Sequence, residues 1–254
     1  MTNSSVTRSD IAAGLRSLGL SAGDTVLVHS SLKSFGHVEG GAETVIEALL
    51  EVVGSRGCIV MPTLTLGTSE SPVVFDVRHS PSSSGRITEV FRQRPDAFRS
   101  MHPTSSAAAV GYASREITAW HGKTPCGLTS PYGQVYLRGG YCLFLGATFS
   151  SNTMFHVAEE IVMPRYLRTA VFPDATVIDE NDVSSMVEFV RYNCYQSGVQ
   201  RDLEKLEMHY ESAGAVRHGQ IGPSHCRLIR ARDVIDISVD LLRSKPEDIF
   251  SYTK

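Results

Sequence analysis

The chain lacks several features that define whole classes of protein. Its 254 residues contain no long uncharged apolar run, and residues 1–5 show no basic region followed by an apolar core. The five cysteines are widely spaced without a C-x-x-C pair, and none of the nine histidines forms an H-x-x-x-H pair. These absences argue against a secreted or membrane-spanning protein, a disulfide framework and a zinc site. We therefore expect a cytoplasmic protein that binds no metal.

An excess of one charge is also missing. The 24 basic and 27 acidic residues leave a net charge of −3, which gives no reason to expect nucleic-acid binding. Neither G-x-x-x-x-G-K-[ST] nor G-x-S-x-G occurs, so a P-loop and a serine-hydrolase elbow have no support. The composition, 42% apolar and 20% charged, is that of an ordinary globular protein. No composition break divides the chain, and we expect one domain over residues 1–254.

What the chain does contain is an alternation of strand and helix patterns. Residues 25–29 form a β-branched run typical of a buried strand, a helix is expected from Ala42 to Val53, and residues 57–61 have the pattern of the next strand. Further helices are predicted near residues 85–94, 114–121, 199–212 and 231–243. Further strands are predicted near residues 106–110, 141–145 and 216–221, with a β-like alternation over 169–195 and a loop at 124–133. The alternation predicts an α/β protein whose sheet is covered on both faces.

One short segment carries the clearest chemistry. At the predicted start of a helix over residues 151–160, His156 stands three residues before Glu159. Side chains at this spacing are neighbours on a helix. A carboxylate that accepts a proton from one ring nitrogen leaves the other nitrogen free as a base, which can deprotonate an attacking nucleophile. Without further context, the same spacing is more typical of a solvated surface pair.

Several short motifs occur in a fixed order around this pair. They include the strings VHSSLKSFG, GGA, VMPTLT and CGLTSPY, at residues 28–36, 40–42, 60–65 and 126–132. Matching stretches also occupy residues 76–82, 98–108, 139–146 and 152–159. Together they resemble the aminoglycoside 3-N-acetyltransferase family, whose members move acetyl from coenzyme A to an amine. Each string is common by itself, but the ordered series is specific.

The resemblance implies a fold, a co-substrate and a set of site residues. The expected fold is a three-layer α/β/α arrangement with a central mixed sheet, and the expected co-substrate is acetyl-CoA. His156 is the expected general base, and Glu159 orients it. The residues expected to contact coenzyme A are Ser30, Ser31, Leu32, Lys33, Ser34, Thr63, Arg99, His102 and Ser106. A hydroxyl at Ser106 could donate to the thioester carbonyl as negative charge develops.

The acceptor is less well defined than the co-substrate. In the family it is a polycation, so Glu70 and Asp76 are expected to attract it by paired charge. Many members read His-Pro-Thr-His-Ser where this chain reads HPTSS, which places Ser105 at the second histidine's position. Another amine-bearing natural product or biosynthetic intermediate therefore stays an alternative acceptor. Direct transfer is favoured over an acyl-enzyme because no cysteine or serine stands at motif spacing to the base. A coenzyme A-binding protein without activity is the alternative of another class, and a homodimer stays open.

Overall fold

The computed structural model describes residues 5–65, 73–192 and 199–252, so the expected acceptor contact Glu70 lies outside the described residues. The helices are α1 Arg8–Leu18, α2 Gly41–Val53, α3 Arg86–Arg92, α4 Ser114–Ala119, α5 Pro131–Leu137, α6 Thr153–Val162, α7 Leu206–Ser212 and α8 Ala231–Ser244. The strands are β1 Thr25–Ser30, β2 Cys58–Pro62, β3 Val74–Asp76, β4 Phe98–Arg99, β5 Ala107–Gly111, β6 Tyr141–Leu145, β7 Thr169–Ile178, β8 Ser184–Tyr192, β9 Val199–Arg201, β10 Val216–Ile221, β11 Ser224–Arg230 and β12 Phe250–Tyr252.

A seven-stranded sheet in the order β10-β11-β6-β1-β2-β5-β4 forms the centre of the fold. The three middle strands β6, β1 and β2 are parallel, and the outer pairs are antiparallel. Side chains alternate between the two faces of a strand. Leu27 of β1 accordingly packs with α4, α5, α6 and α8, while Val26 and Val28 pack with α1, α2 and α3. The three-layer α/β/α fold with a central mixed sheet is confirmed.

Two smaller sheets lie outside the central one. Strands β3, β7 and β8 form a three-stranded sheet, and β9 pairs antiparallel with β12. The β-like alternation of the sequence corresponds to the β7–β8 hairpin, and residues 193–195 of that prediction lie outside the described residues. The backbone N–H of Val190 donates to the carbonyl of Lys123 at 2.8 Å, which ties this hairpin to the loop before α5. No helix in the part of the chain that the structure describes has the length and apolarity needed to span a bilayer.

Two secondary-structure predictions are wrong in part. The helix expected over 199–212 begins only at Leu206, because residues 199–201 instead pair with β12 and gain backbone hydrogen bonds that local helix propensity does not anticipate. The expected loop at 124–133 gives way to α5 at Pro131. Ser130 caps this helix by accepting from the N–H of Gly133, and a proline at the first helical position is favourable.

The carboxyl ends of β1 and β6 lie side by side and define one edge of the sheet. The N–H of Ser31, just after β1, donates to the carbonyl of Leu145 at 2.9 Å. Gly146 follows β6 with a φ of 63°, and a Cβ there would meet Ser34 Oγ at 1.8 Å. Only glycine permits this approach. Crevices outside the carboxyl ends of parallel strands are where α/β proteins place ligands, and α6 begins at this edge.

Candidate active site

Helix α6 presents His156 from a rigid start. Asn152 is the N-cap, and its fully buried side chain accepts from the N–H of Phe155 at 3.3 Å while its amide donates to Tyr210 Oη at 3.3 Å. Phe149 and Phe155 are both fully buried on either side of this cap. The helix start is therefore held by packing as well as by hydrogen bonds, which fixes the position of His156 one turn further along.

His156 and Glu159 form the pair expected from their spacing. His156 Nδ1 lies 2.6 Å from Glu159 Oε2, and the carboxylate is fully buried while the imidazole side chain is 21% exposed. A carboxylate can only accept, so Nδ1 carries the proton in this contact. Among the described residues, Nε2 has no hydrogen-bond partner. The imidazole therefore turns its basic nitrogen away from the carboxylate.

Glu159 is held by two further donors that no pattern in the sequence predicts. Tyr166 donates its hydroxyl to Oε1, and Arg201 Nη1 lies 2.6 Å from Oε2. Burial by itself would raise the pKa of Glu159, but the interactions with His156 and Arg201 and the hydrogen bond from Tyr166 outweigh it and lower the pKa below its usual value. The buried carboxylate is therefore ionised at neutral pH. Arg201 falls in a segment predicted as plain helix, so nothing in its spacing marked it.

Two cavities meet at His156. The wide cavity has a volume of about 690 Å³, and the narrow cavity has a volume of about 260 Å³. The residues that line both are Leu64, Ser150, Thr153 and His156. A base that faces two adjoining spaces can take a proton from a molecule in one while that molecule attacks a group held in the other. This arrangement suits a reaction between two substrates.

The narrow cavity is built at the carboxyl end of β1. Its wall includes Val28, His29 and Ser30, together with Ser83, Ser84 and Thr88 from the other side. Ser30 Oγ is buried and has no hydrogen-bond partner among the described residues, so a polar group inside the cavity would satisfy it. Burial, with a smaller effect of the nearby His156, lowers the pKa of His29 to about 3. His29 is therefore neutral at physiological pH.

The wide cavity combines acidic and basic side chains. Asp202 and Glu204 line it with Arg191 and Arg201, and Ser105 lies in the same wall. Glu204 Oε1 accepts from Thr148 Oγ1 at 2.9 Å, which orients this carboxylate at the cavity. Both carboxylates were missed by the sequence reasoning, because they belong to the segment predicted as helix. No residue pattern distinguishes them from solvated acidic residues.

Cys126 also lines the wide cavity but is a poor nucleophile. Its backbone N–H donates to Glu160 Oε1 at 2.7 Å, and its side chain is buried. Burial raises the pKa of the Cys126 thiol well above its usual value, and the negative charges of Glu160 and Glu159 raise it further. Since the thiolate is the reactive form of cysteine, this thiol is not activated for attack.

The loop after β1 lines neither cavity beside His156. Ser30, the last residue of β1, lines the narrow cavity, whereas Leu32 begins a short 3₁₀ turn over Leu32–Phe35 and packs against the core beside α1 and α2. Ser34 Oγ donates to the carbonyl of Ser31 at 2.7 Å, and Lys33 is exposed. Contact of Ser31, Leu32, Lys33 and Ser34 with the co-substrate stays a prediction.

A second expected cluster is brought together, but inside the protein. Arg99 donates to Thr63 Oγ1 and Ser106 Oγ at 3.1 Å each, and Ser106 donates to the carbonyl of Thr63 at 2.8 Å. Arg99 also donates to the carbonyl oxygens of Val77 and Ser80 at 3.2 and 2.6 Å. These three expected residues are buried and do not line the two cavities beside His156. Their direct contact with coenzyme A stays a prediction that this geometry does not support.

His102 is also turned inward. Its Nδ1 accepts from the N–H groups of Thr104 and Ser105, at 3.3 and 3.1 Å, and Nε2 lies 3.3 Å from the carbonyl oxygen of Lys123. Burial lowers its pKa to about 4, so it is neutral. The ring thereby shapes the loop that presents Thr104 and Ser105 to the wide cavity, and contact of His102 itself with coenzyme A stays a prediction.

Asp76, the second expected acceptor contact, lies at the end of β3 and lines neither cavity beside His156. Its carboxylate accepts from the N–H groups of Arg78 and His79 at 2.8 and 2.9 Å and lies 2.9 Å from the His79 ring. The side chain thus closes a local turn. Its contact with the acceptor stays a prediction that the cavity geometry does not support.

The sequence model of the family described as aminoglycoside 3-N-acetyltransferase matches residues 27–243. The chain belongs to this family. It is 32% identical to aminoglycoside N(3)-acetyltransferase VII of Streptomyces paromomycinus over 94% of this chain and 92% of that protein. It is similar to the crystal structure of the YokD protein of Bacillus subtilis, with 30% identity, a TM-score of 0.83, and coverage of 97% of this chain and 96% of that chain. Its relatives are named acyltransferases, and the chain is an acyltransferase of this family.

A further solved structure to which this chain is similar contains a bound ligand. AAC-VIa bound to sisomicin is 25% identical to this chain, with a TM-score of 0.83 and coverage of 95% of this chain and 99% of that chain. The likeness therefore extends over nearly all of both chains.

Proposed function

We propose that this acyltransferase moves acetyl from acetyl-CoA directly to a 3-amino group of an aminoglycoside, with His156 as the general base. The observation that carries the proposal is the His156 imidazole, which is paired through Nδ1 to the buried Glu159 and faces the junction of two cavities through its other edge. A single-substrate binder has no use for a base between two spaces. Membership of an N-acetyltransferase family supports acetyl-CoA as the donor.

The narrow cavity is the proposed place of the thioester arm. A pantetheine chain is slender, and the cavity of about 260 Å³ has less than half the volume of the wide cavity, about 690 Å³. The unpartnered hydroxyl of Ser30 supplies a hydrogen bond for an amide or a thioester carbonyl at this position. Buried polar groups without partners are rare in folded proteins, which supports a ligand here.

The wide cavity is the proposed place of the acceptor. An aliphatic ammonium group has a reference pKa near 10.4, so an amine acceptor arrives mostly charged. Asp202 and Glu204 line this cavity and can pair with such groups, a role that Glu70 and Asp76 were expected to fill. The solved relative AAC-VIa is described as bound to sisomicin, which supports an aminoglycoside as the acceptor.

The proposed reaction uses one proton acceptor and no covalent enzyme intermediate. The bound ammonium first loses one proton to solvent. His156 Nε2 takes a second proton from the neutral amine as its nitrogen forms a bond to the thioester carbon and the carbonyl electron pair moves to oxygen. The tetrahedral intermediate collapses, the carbon–sulfur bond breaks, and the departing coenzyme A thiolate takes up the proton from the His156 imidazolium. Glu159 stabilises the imidazolium formed on the way. The protonated, buried thiol of Cys126 supports direct transfer over an acyl-cysteine intermediate.

A different amine is the second candidate acceptor, and one observation favours it. Ser105 lines the wide cavity at the position where many family members carry a histidine. A serine is smaller than a histidine, so it leaves more room in the wide cavity. It also offers a hydroxyl in place of an imidazole for hydrogen bonding, and both changes alter which acceptor fits. Another amine-bearing natural product is therefore the runner-up.

An assay of free thiol release from acetyl-CoA across a panel of amines tests the proposal. The panel should contain aminoglycosides with and without a free 3-amino group, simple diamines, and amino sugars. We expect release only with acceptors that carry the 3-amino group. Release with simple amines alone would favour the runner-up. No release, together with no rise in melting temperature at millimolar acetyl-CoA, would contradict the transferase proposal.

Charge-neutral variants of the cavity wall test the acceptor site separately. Asp202→Asn and Glu204→Gln should each raise KM for the aminoglycoside, with a smaller effect on KM for acetyl-CoA. The expected change is roughly tenfold for each, the value of one charge-assisted hydrogen bond. Asp76→Asn serves as the matched control, since that carboxylate lines neither cavity beside His156. An equal rise of KM in the control would contradict the placement of the acceptor.

A further inference from the structure

Arg201 makes an unusual contact with the catalytic pair. It lies in β9, lines the wide cavity, and places Nη1 2.6 Å from Glu159 Oε2. The same Nη1 lies 3.2 Å from His156 Nδ1. The guanidinium therefore approaches both members of the pair at the point where they contact each other.

His156 Nδ1 cannot form hydrogen bonds with both Glu159 and Arg201 at once. An arginine only donates and a carboxylate only accepts, so Nδ1 either donates to Glu159 or accepts from Arg201. In the first arrangement the lone pair of Nε2 faces the cavities, and the ring can act as a base. The shorter distance, 2.6 Å to Glu159 against 3.2 Å to Arg201, favours this arrangement.

Near neutral pH the charge around His156 comes from a few groups. Glu159 lies on its own helix, Arg201 on β9, and Asp202, Glu204 and Arg191 in the wall of the wide cavity. His29 of β1 and Tyr192 of β8 also face the ring. Burial lowers the pKa of His29 to about 3 and raises the pKa of Tyr192, so both are uncharged. Of the cations, Arg201 is the one with a hydrogen-bond-range contact to the ring among the described residues.

We propose that Arg201 is a positioning residue that keeps His156 available as an unprotonated base. It does so in two ways that its geometry supports. Its bond to Oε2 keeps the buried carboxylate of Glu159 ionised and in place, so that Nδ1 donates. Its positive charge beside the ring opposes protonation of the resting imidazole. This proposal rests on the proposed function of His156 as the base, but its physical content concerns the ring itself.

Two variants of Arg201 separate charge from contact. Arg201→Gln keeps a hydrogen-bond donor for Glu159 and removes the charge, whereas Arg201→Lys keeps the charge. Without the charge the imidazolium persists to higher pH, so the acidic limb of the kcat/KM profile should move upward by roughly 1 pH unit in Arg201→Gln. The acidic limb of Arg201→Lys should stay within a few tenths of a pH unit of that of the parent. Arg191→Gln is the matched control, because it removes a charge from the same cavity wall.

A measurement without turnover distinguishes this proposal from the proposed function. In protein labelled with ¹⁵N-histidine, the His156 signals are identified by their loss in His156→Ala and followed through a pH titration. We expect the proton on Nδ1 at high pH in the parent. In Arg201→Gln the midpoint of the His156 titration, followed by its ¹⁵N chemical shifts, should move to higher pH. This shift is expected even if the protein acetylates no amine in the panel.

Three results would overturn the proposal. The first is an Arg201→Gln protein in which the His156 titration and the acidic limb of the kcat/KM profile do not move while the maximal kcat/KM falls. That result indicates a structural role alone. The second is an equal shift in Arg191→Gln, which indicates a general field of the cavity. The third is an Arg201→Lys protein that shifts as far as Arg201→Gln. If Arg201→Gln fails to fold, the titration of Arg201→Lys against the parent still decides whether retained charge preserves the behaviour of the ring.

Discussion

His156 and His102 both belong to polar clusters buried near the same edge of the sheet, and both use Nδ1 in a hydrogen bond. His102 accepts from two backbone N–H groups, and its Nε2 lies against a carbonyl oxygen, so both nitrogens are engaged. His156 pairs with a buried carboxylate and leaves Nε2 toward two cavities. The comparison teaches that two histidines of similar surroundings differ in chemical capacity, since an imidazole with one unengaged nitrogen and a charged partner is equipped to act as a base. A histidine with both nitrogens engaged shapes the backbone instead.

The same contrast separates the carboxylate and the arginine of the two clusters. Glu159 takes its hydrogen bonds from Tyr166, Arg201 and His156, so its charge acts on the imidazole. Arg99 donates its hydrogen bonds to hydroxyls and carbonyl oxygens around Thr63 and Ser106. Burial, with a smaller effect of Arg92, lowers the pKa of Arg99 to about 9. We therefore expect substitutions near His156 to change rate and those near Arg99 to change stability.

The largest expected effect is on catalysis by His156. His156→Ala should lower kcat by roughly 10²–10⁴, the usual contribution of a general base, with little change in acetyl-CoA affinity. Steady-state kinetics and calorimetry measure the two quantities. His102→Ala is the matched control and should lower the melting temperature while the folded fraction keeps most of its activity. An equal loss of activity per folded molecule in the two variants would contradict the distinction between His156 as a base and His102 as a structural residue.

The next effect is on stability at Arg99. Arg99→Met leaves buried hydroxyl and carbonyl groups without their donor and should lower the free energy of unfolding by roughly 2–4 kcal/mol. Urea denaturation followed by fluorescence measures it. The KM for acetyl-CoA should stay close to that of the parent. A rise in that KM at unchanged stability would instead show that Arg99 contacts the co-substrate, as the family resemblance implies.

A smaller loss of rate is expected from Glu159→Gln. The amide can still bond to His156 but brings no charge to stabilise imidazolium, so kcat should fall roughly 10- to 100-fold, the worth of one charge-assisted hydrogen bond. In the double variant with His156→Ala, little further loss is expected, because residues that act as one unit are not additive. Losses that multiply in full would mean that Glu159 works independently of the imidazole.

The smallest effect concerns pH and stability. The pKa of His29 lies at about 3 and that of His102 at about 4 in the folded protein, both below the usual value of 6.5. The unfolded chain therefore binds protons that the folded chain does not as pH falls below 6.5, and stability is lost. Between pH 7 and pH 5 each histidine should lower the free energy of unfolding by about 1–2 kcal/mol. Urea denaturation at both pH values should show a smaller fall in His102→Asn, and an unchanged fall would contradict a neutral His102.

The predictions from sequence succeeded where chemistry and periodicity are local. The strands near residues 25–29 and 141–145 and the helix with His156 follow from runs of neighbouring residues, and the structure confirms them. The helix expected over 199–212 is wrong at its start because β9 pairs with β12, almost fifty residues away in the chain. A pattern of neighbours contains no information about such a partner.

The spacing of His156 and Glu159 on one helix is enough to bring the two side chains together, because helix geometry fixes neighbours three residues apart. The ordered motifs likewise determine the family. Only the tertiary structure decides which expected residues reach the cavities beside His156, since Ser30 and Arg99 look equally polar in the sequence but differ in what surrounds them. The same holds for Tyr166 and Arg201, which reach Glu159 through the turn after α6 and through β9. Burial and pairing between distant segments are properties of the folded chain, and they determine which polar side chains face the cavities.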